Sequence, residues 1–134
     1  MTRKIRALAG LLAALVLTST GAQEPDDAAA ERGAEIYRTI CAPCHDALPE
    51  GAAIEMLPGP ESLTLKYRGA LSPYITERPD LASYEVLRMF LRKGSGSMPP
   101  FRKTEISDDD IAAIAAYFAR TSGMSDTSAE PLAE

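Results

Sequence analysis

The chain has 134 residues, the length of a single ordinary domain. It carries 14 basic and 19 acidic residues, a formal net charge of −5, so it lacks the basic surface typical of proteins that bind nucleic acid. It contains one histidine and two cysteines, which are too few to build two separate metal sites from these residue types.

The first 22 residues have the pattern of a cleaved secretory signal. Three basic residues precede an apolar run from Ala7 to Leu17, and small residues follow up to Ala22. A run of 11 apolar residues is too short to cross a bilayer as a helix. We therefore predict a signal peptide at residues 1–22, with an uncleaved anchor as the alternative. The exported chain would be periplasmic, with no stable membrane span and 11 basic against 19 acidic residues, a charge of about −8.

A helix is predicted to lead into the one chemically distinctive motif of the chain. Residues 23–27 are polar and predict a flexible N-terminus. From Ala28 onward, small and apolar residues recur at helical spacing. They are Ala30, Gly33, Ala34, Tyr37 and Cys41.

The motif is Cys41-Ala42-Pro43-Cys44-His45, whose C-x-x-C-H spacing is the attachment signature of haem c. The two thiols would form thioether bonds to the haem, and His45 would bind the iron. A thioredoxin-type redox pair needs a preceding strand, a short-range disulfide gives His45 no role, and a zinc site lacks a fourth ligand. The motif therefore predicts one covalently bound haem c, and export agrees because bacteria attach haem c outside the cytoplasm.

Proline and glycine divide the middle of the chain into loops. Composition predicts a loop over residues 46–62, a short helix or turn up to Gly69, and another loop over residues 71–80. A helix is predicted over residues 84–93, with Ser83 as its N-cap and Gly94 as its C-cap.

A final helix is predicted after Ser107, which is followed by three aspartates suited to the positive end of a helix. Its buried stripe is predicted to be Ile111, Ile114, Ala115 and Phe118. Because no strand pattern appears, the sequence predicts an all-α domain over residues 28–121. Residues 122–134 are predicted to be a disordered tail.

A methionine thioether is the expected second axial ligand of the iron, because the chain has no second histidine. The candidates are Met56, Met89, Met98 and Met124. Met98 stands in a loop rich in Gly and Pro, 53 residues after His45, which is long enough to pass around a porphyrin. An isolated methionine usually fills a core, but this setting favours Met98 as the ligand.

Taken together, these features resemble a class I cytochrome c of the small bacterial single-haem kind. The matching residues are Gly33 and Tyr37, the motif at residues 41–45, Gly59-Pro60, Met98-Pro99, and Ile114 with Tyr117. The resemblance implies a cytochrome c fold wrapped around the haem, with the two terminal helices crossing at Gly33.

The resemblance also implies contacts to His45 and to the haem propionates. The carbonyl of Pro60, or that of Pro58, is expected to accept a hydrogen bond from the second ring nitrogen of His45. The chain has no tryptophan, which many relatives place at a propionate. Arg68 is the residue we expect there, with Tyr67 and Tyr74 as alternatives. The stretch at residues 71–80 looks like an insertion relative to the shortest relatives.

His–Met ligation leaves the iron no open position, so the resemblance implies an electron carrier and not an enzyme. The segment from Met98 to Phe101 is similar to cytochrome subunits of periplasmic dehydrogenases, including the p-cresol methylhydroxylase type. We therefore predict electron transfer from a flavin- or quinone-dependent dehydrogenase, with the protein as a bound subunit or a shuttle. The alternatives are a free donor to a terminal oxidase and, from another class, a five-coordinate haem protein that binds gas or acts as a peroxidase.

Five cations flank the Met98 loop in the sequence. They are Arg88, Arg92, Lys93, Arg102 and Lys103. They predict either a basic rim that steers an acidic partner toward the haem, or an ordinary solvated helix face.

Overall fold

The computed structural model describes residues 25–124. The predicted signal peptide and most of the predicted tail lie outside this range. The elements are α1 (Pro25–Ile36), a π-helical turn (Tyr37–Cys41), α2 (Ala42–His45), α3 (Pro58–Tyr67), two 3₁₀ turns (Ile75–Glu77 and Pro79–Leu81), α4 (Tyr84–Lys93) and α5 (Asp108–Thr121). Within residues 25–124 there is no strand, only an isolated bridge between Ser95 and Met98. The predicted all-α class is confirmed.

Two boundaries differ from the sequence-based expectation. Helix α1 begins at Pro25, so the described part of the predicted flexible N-terminus is helical. Helix α3 begins at Pro58, inside the stretch predicted as a loop, and includes Gly59 and Pro60 in its first turn. Proline is tolerated there because the first N–H groups of a helix have no intrahelical partner.

Helices α1 and α5 cross at Gly33, as the resemblance implied. A Cβ atom at Gly33 would lie 2.0 Å from the carbonyl oxygen of Ala113 and 2.9 Å from Cβ of Tyr117. The ring of Tyr37, one turn further along, lies 5.5 Å from that of Tyr117 and 5.9 Å from that of Phe118. The missing side chain of Gly33 is therefore what lets the two helices touch, and the aromatic rings pack beside the contact.

Ion pairs join the same two helices at their surface. Arg32 donates from Nη2 to Oδ1 of Asp110 at 2.6 Å, and Arg120 donates to Glu31 at 3.0 Å. These contacts are largely exposed, so each contributes little stability on its own, typically below about 1 kcal/mol.

The core lies between the helix crossing and α4. Leu87 and Leu91 of α4 are buried against α5, together with Leu81 from the second 3₁₀ turn. The buried cluster comprises Tyr37, Leu81, Leu87, Leu91, Ile106, Ile111, Ile114, Ala115 and Phe118. The predicted stripe of α5 is thus confirmed, because all four of its members belong to this cluster. No helix within residues 25–124 is long and apolar enough to cross a membrane.

The two predicted N-caps differ in their chemistry. The hydroxyl of Ser107 accepts a hydrogen bond from the Asp110 N–H, and the carboxylate of Asp110 accepts one from the Ser107 N–H, which forms a capping box. The Ser107 hydroxyl also donates to the Asp110 carboxylate at 2.7 Å, and this bond, the bond from the Ser107 N–H and the guanidinium of Arg32 lower the pKa of Asp110 to about 2. Ser83 occupies the N-cap position of α4, but its side chain makes no capping hydrogen bond.

Candidate functional site

One cavity of about 670 Å³ brings together most of the predicted site residues. Cys41, Cys44 and His45 line it from the motif, Pro58 and Gly59 from the start of α3, and Met98 from the connection between α4 and α5. Its volume falls within the range of about 300–1,000 Å³ that is usual for sites of small molecules and cofactors. Apolar walls are contributed by Ile40, Leu63, Ile75, Leu81, Leu87, Phe90, Leu91, Phe101, Ile114 and Phe118.

The motif follows a local change of helical winding. Residues 37–41 form a π-helical turn, a feature that is often found at functional sites. Helix α2 then places Cys44 and His45 within a single turn after Cys41. Both cysteines are free thiols, with Cys41 partly buried and Cys44 exposed. Burial raises the pKa of Cys41 to about 11, with a smaller contribution from neighbouring Cys44. Free thiols one turn apart are the form in which thioether attachment to a haem can occur.

The imidazole of His45 is held by close backbone packing. A Cβ atom at Gly59 would lie 2.5 Å from Nδ1 of His45 and 2.4 Å from the carbonyl oxygen of Cys44, so only glycine fits between α3 and the motif. Burial lowers the pKa of His45, which favours the neutral form that binds metals. The sequence had marked Gly59 only as part of a family pattern, and its contact with His45 explains that pattern.

The expected hydrogen bond from His45 to a proline carbonyl is not present. Nδ1 of His45 is buried and has no hydrogen-bond partner among the described residues. Pro60 is fully buried, but it lies in the first turn of α3. Both prolines belong to the first turn of α3, where carbonyl groups point along the helix axis toward the N–H four residues later.

Met98 is positioned by a loop with several internal hydrogen bonds. Ser95 and Met98 exchange two backbone hydrogen bonds of 3.0 Å each. Gly94 has a φ of 70°, and a Cβ atom there would lie 2.6 Å from the Met98 carbonyl oxygen. The loop leaves Met98 partly buried, and beyond it the Phe101 N–H donates to the Leu91 carbonyl at 2.7 Å.

The other candidate methionines are placed elsewhere. Met89 and Met124 are 46% and 45% exposed. Met56 lines a separate surface pocket, where its sulfur accepts a hydrogen bond from the Thr64 hydroxyl at 3.7 Å. Of the four candidates, Met98 alone shares the cavity with His45.

Arg68, the expected propionate partner, does not line the cavity. Arg68 is the C-cap of α3, with a left-handed φ of 51°, and its side chain is exposed outside the cavity. The cations that do line the cavity are Lys66 and Arg78. Sequence analysis missed Arg78 because the burial of its side chain depends on how the segment of 3₁₀ turns folds back. The one signal for Arg78 in the sequence was Asp80, two residues later, which could form an ion pair with it.

Four of the five cations near the Met98 loop are paired within the chain. The pairs are Arg88–Glu85, Arg92–Asp108, Lys103–Asp108 and Arg102–Glu105. Arg92 also donates to the Phe101 carbonyl at 3.1 Å, so it supports the end of the Met98 loop. Lys93 makes no ion pair within the described part of the chain. This pairing favours the ordinary solvated face over a basic rim.

These observations fit a haem. Two free thiols, an imidazole whose burial favours the neutral form and a thioether line an apolar cavity. The fold and the cavity thus define a small c-type cytochrome domain with one covalently bound haem c.

Comparison with known proteins agrees. Residues 28–118 match the family described as cytochrome c oxidase, cbb3-type, subunit III, and the chain belongs to this family of c-type cytochromes. No curated protein and no solved structure matched the chain. The family confirms the resemblance to a class I cytochrome c, the cytochrome c fold and the haem c cofactor. It does not extend to the p-cresol methylhydroxylase type.

Proposed function

We propose that the protein is a periplasmic single-haem electron carrier with His45 and Met98 as the axial ligands of the haem iron. The observation that carries the proposal is that the one histidine of the chain and a loop methionine line the same cavity. Haem c supplies reversible one-electron exchange at its iron, and a thioether ligand favours the ferrous state.

The residues around the two ligands have the task of keeping both in place. Gly59 lets α3 pack against the imidazole of His45, and the paired backbone bonds of Ser95 and Met98 fix the thioether loop. Two ligands held by the packed chain leave no open position for a substrate. This arrangement supports a carrier and not a ligand-binding or peroxidase-like protein.

Reaction with carbon monoxide tests this proposal. The reduced protein with both positions occupied is expected to bind carbon monoxide weakly or not at all, and to cycle reversibly between its two oxidation states. Ready binding of carbon monoxide by the wild-type protein would show an open sixth position and would contradict the carrier function.

The periplasmic location rests on the N-terminal pattern of residues 1–22 and on the chemistry of haem c attachment. Expression with the native N-terminus in a bacterium that assembles haem c, followed by fractionation, tests it. The expected result is haem-stained protein in the periplasmic fraction, beginning near Gln23. Retention in the membrane would contradict cleavage of the signal.

We propose a flavin- or quinone-dependent dehydrogenase as the electron donor and a terminal oxidase as the acceptor. The donor is supported by the similarity of the Met98–Phe101 segment to dehydrogenase subunits, and the acceptor by the family description, which names an oxidase subunit. Gel filtration of periplasmic extract distinguishes a bound subunit from a shuttle. Elution together with a flavoprotein or quinoprotein indicates a subunit, and elution as a small free protein indicates a shuttle.

A further inference from the structure

We propose that Lys66 and Arg78 form the carboxylate-binding end of the haem cavity and bind the two propionate groups of the haem. This inference requires that haem c occupies the cavity. It does not depend on which residue is the sixth ligand of the iron, or on the partner proteins.

The charge of the cavity lining is the first argument. Lys66 and Arg78 are its two formally charged side chains, and no carboxylate lines it, although the chain contains 19 acidic residues. A haem brings two carboxylates into a largely apolar site. Burying them is costly unless cations and hydrogen-bond donors accompany them. Two cations at the wall match this requirement.

The burial of Arg78 is the second argument. Its side chain is 7% exposed, and Arg78 is the one charged residue buried within residues 25–124. Nε donates to Oδ1 of Asp80 at 3.1 Å, and Nη2 donates to Oδ2 at 2.5 Å. Asp80 itself is 53% exposed, so it holds the guanidinium from the solvent side. A side-chain hydrogen bond with Tyr67 adds to these contacts, and the bonds to Asp80 and Tyr67 raise the pKa of Arg78, so its charge is kept.

Tyr67 brings the two cations together. The guanidinium carbon of Arg78 lies 4.9 Å from the centre of the Tyr67 ring, and Nζ of Lys66 lies 5.3 Å from it. The guanidinium is therefore held in a fixed orientation by a ring on one side and a carboxylate on another. A planar guanidinium group held in this way is suited to binding a carboxylate. The segment that carries Arg78 is the one the sequence marked as an insertion.

The test compares haem-loaded variants by redox titration over a range of pH and by resonance Raman spectroscopy of the propionate vibrations. The charged or titratable groups at this end are Lys66, Tyr67, Arg78 and Asp80. In the wild type the two cations hold the propionates ionised, so the midpoint potential is expected to change little with pH. In Arg78→Gln, a propionate that has lost its cation titrates at higher pH. Because its ionised form favours ferric iron, the potential should then fall as pH rises.

Three further variants make the result specific. Arg68→Gln removes the same charge outside the cavity and should behave as wild type. Arg78→Gln combined with Asp80→Asn should keep the new pH dependence if a propionate titrates, and lose it if Asp80 is responsible. Lys66→Gln changes an exposed side chain and should shift the propionate vibrations even where Arg78→Gln fails to mature.

The proposal is overturned if Arg78→Gln and Lys66→Gln both match Arg68→Gln in pH profile and propionate vibrations. It is also overturned if removing Asp80 abolishes the pH dependence. If Arg78→Gln does not mature, unchanged propionate vibrations in Lys66→Gln overturn it. These readouts are separate from carbon monoxide binding, so failure of this inference and failure of the carrier function give different results.

Discussion

At the scale of single residues, Gly59 has the most direct influence on the metal centre. Its α-carbon packs so closely against Nδ1 of His45 and the Cys44 carbonyl that no other residue fits. Among residues 25–124, no hydrogen bond at Nδ1 orients the side chain of His45. Packing by Gly59 is therefore what restrains the ring in this structure.

Gly59→Ala should displace α3 from the motif. The new Cβ atom meets backbone at 2.4 Å, which cannot be relieved by a rotamer change. We expect a loss of roughly 1–3 kcal/mol in the free energy of unfolding, as for other overpacked sites, together with an altered spectrum of the His45-ligated haem. Thermal unfolding and the absorption spectrum provide the measurement. Glu61→Ala, in the same turn but exposed, is the control, and equal behaviour of the two variants would refute the packing account.

The residues of the site could be predicted from the sequence only where the chemistry of haem binding restricts the choice of residue type. The C-x-x-C-H spacing and the absence of a second histidine were enough to select Cys41, Cys44 and His45, and loop composition favoured Met98. The propionate partner was not predictable in this way, because any of several cations satisfies the chemistry. Arg68 and Arg78 differ in burial, which is a property of the folded chain.

At the scale of elements, helices α4 and α5 begin differently. Helix α5 starts with a complete capping box between Ser107 and Asp110, whereas α4 starts at Ser83 without a capping hydrogen bond. The sequence predicted both serines as N-caps. Cap geometry depends on the backbone that enters the helix, and that information is not local to the serine.

Replacing each serine by alanine separates the two cases. Ser107→Ala should lower the free energy of unfolding by about 1 kcal/mol, the usual loss for an N-cap. Ser83→Ala should change it by less than about 0.5 kcal/mol, as for a surface substitution. Chemical denaturation of the two haem-loaded variants provides the comparison. Equal losses would show that the capping difference between the helices is not real.

Helix α3 shows why element boundaries were harder to predict than element types. Pro58, Gly59 and Pro60 predict a break in any helix interior. In the first turn of α3 the same residues are compatible with a helix, because no N–H is required there. The glycine then serves the contact with His45, so a stretch predicted as a loop is a helix start that packs on the motif.

At the scale of the whole molecule, the crossing of α1 and α5 joins the two ends of the domain. The periodicity of both helices was readable from sequence, and the resemblance located their crossing at Gly33. Periodicity alone could not have located it, because it identifies the buried face of a helix but not the partner. The pairing of the surface cations with nearby carboxylates likewise became evident only in the folded chain.

Gly33→Ala should therefore destabilise the whole domain. Its Cβ atom would meet the Ala113 carbonyl oxygen at 2.0 Å, so the helices must move apart. We expect a loss of about 2 kcal/mol or more, despite the better helix propensity of alanine. Ala112→Met enlarges an exposed residue of α5 and is the control, expected to lie within about 0.5 kcal/mol of wild type. Wild-type melting of Gly33→Ala would contradict the close crossing.

The central claim is that His45 and Met98 hold the iron of one haem. The most direct measurement is the far-red absorption of the oxidised protein, matured in a periplasm that assembles haem c, for wild type, Met98→Ala and Met89→Ala. The account predicts a weak sulfur-to-iron band in wild type and in Met89→Ala, whose side chain is exposed outside the cavity, and no band in Met98→Ala. A band that survives in Met98→Ala, or that is missing from wild type, would contradict it.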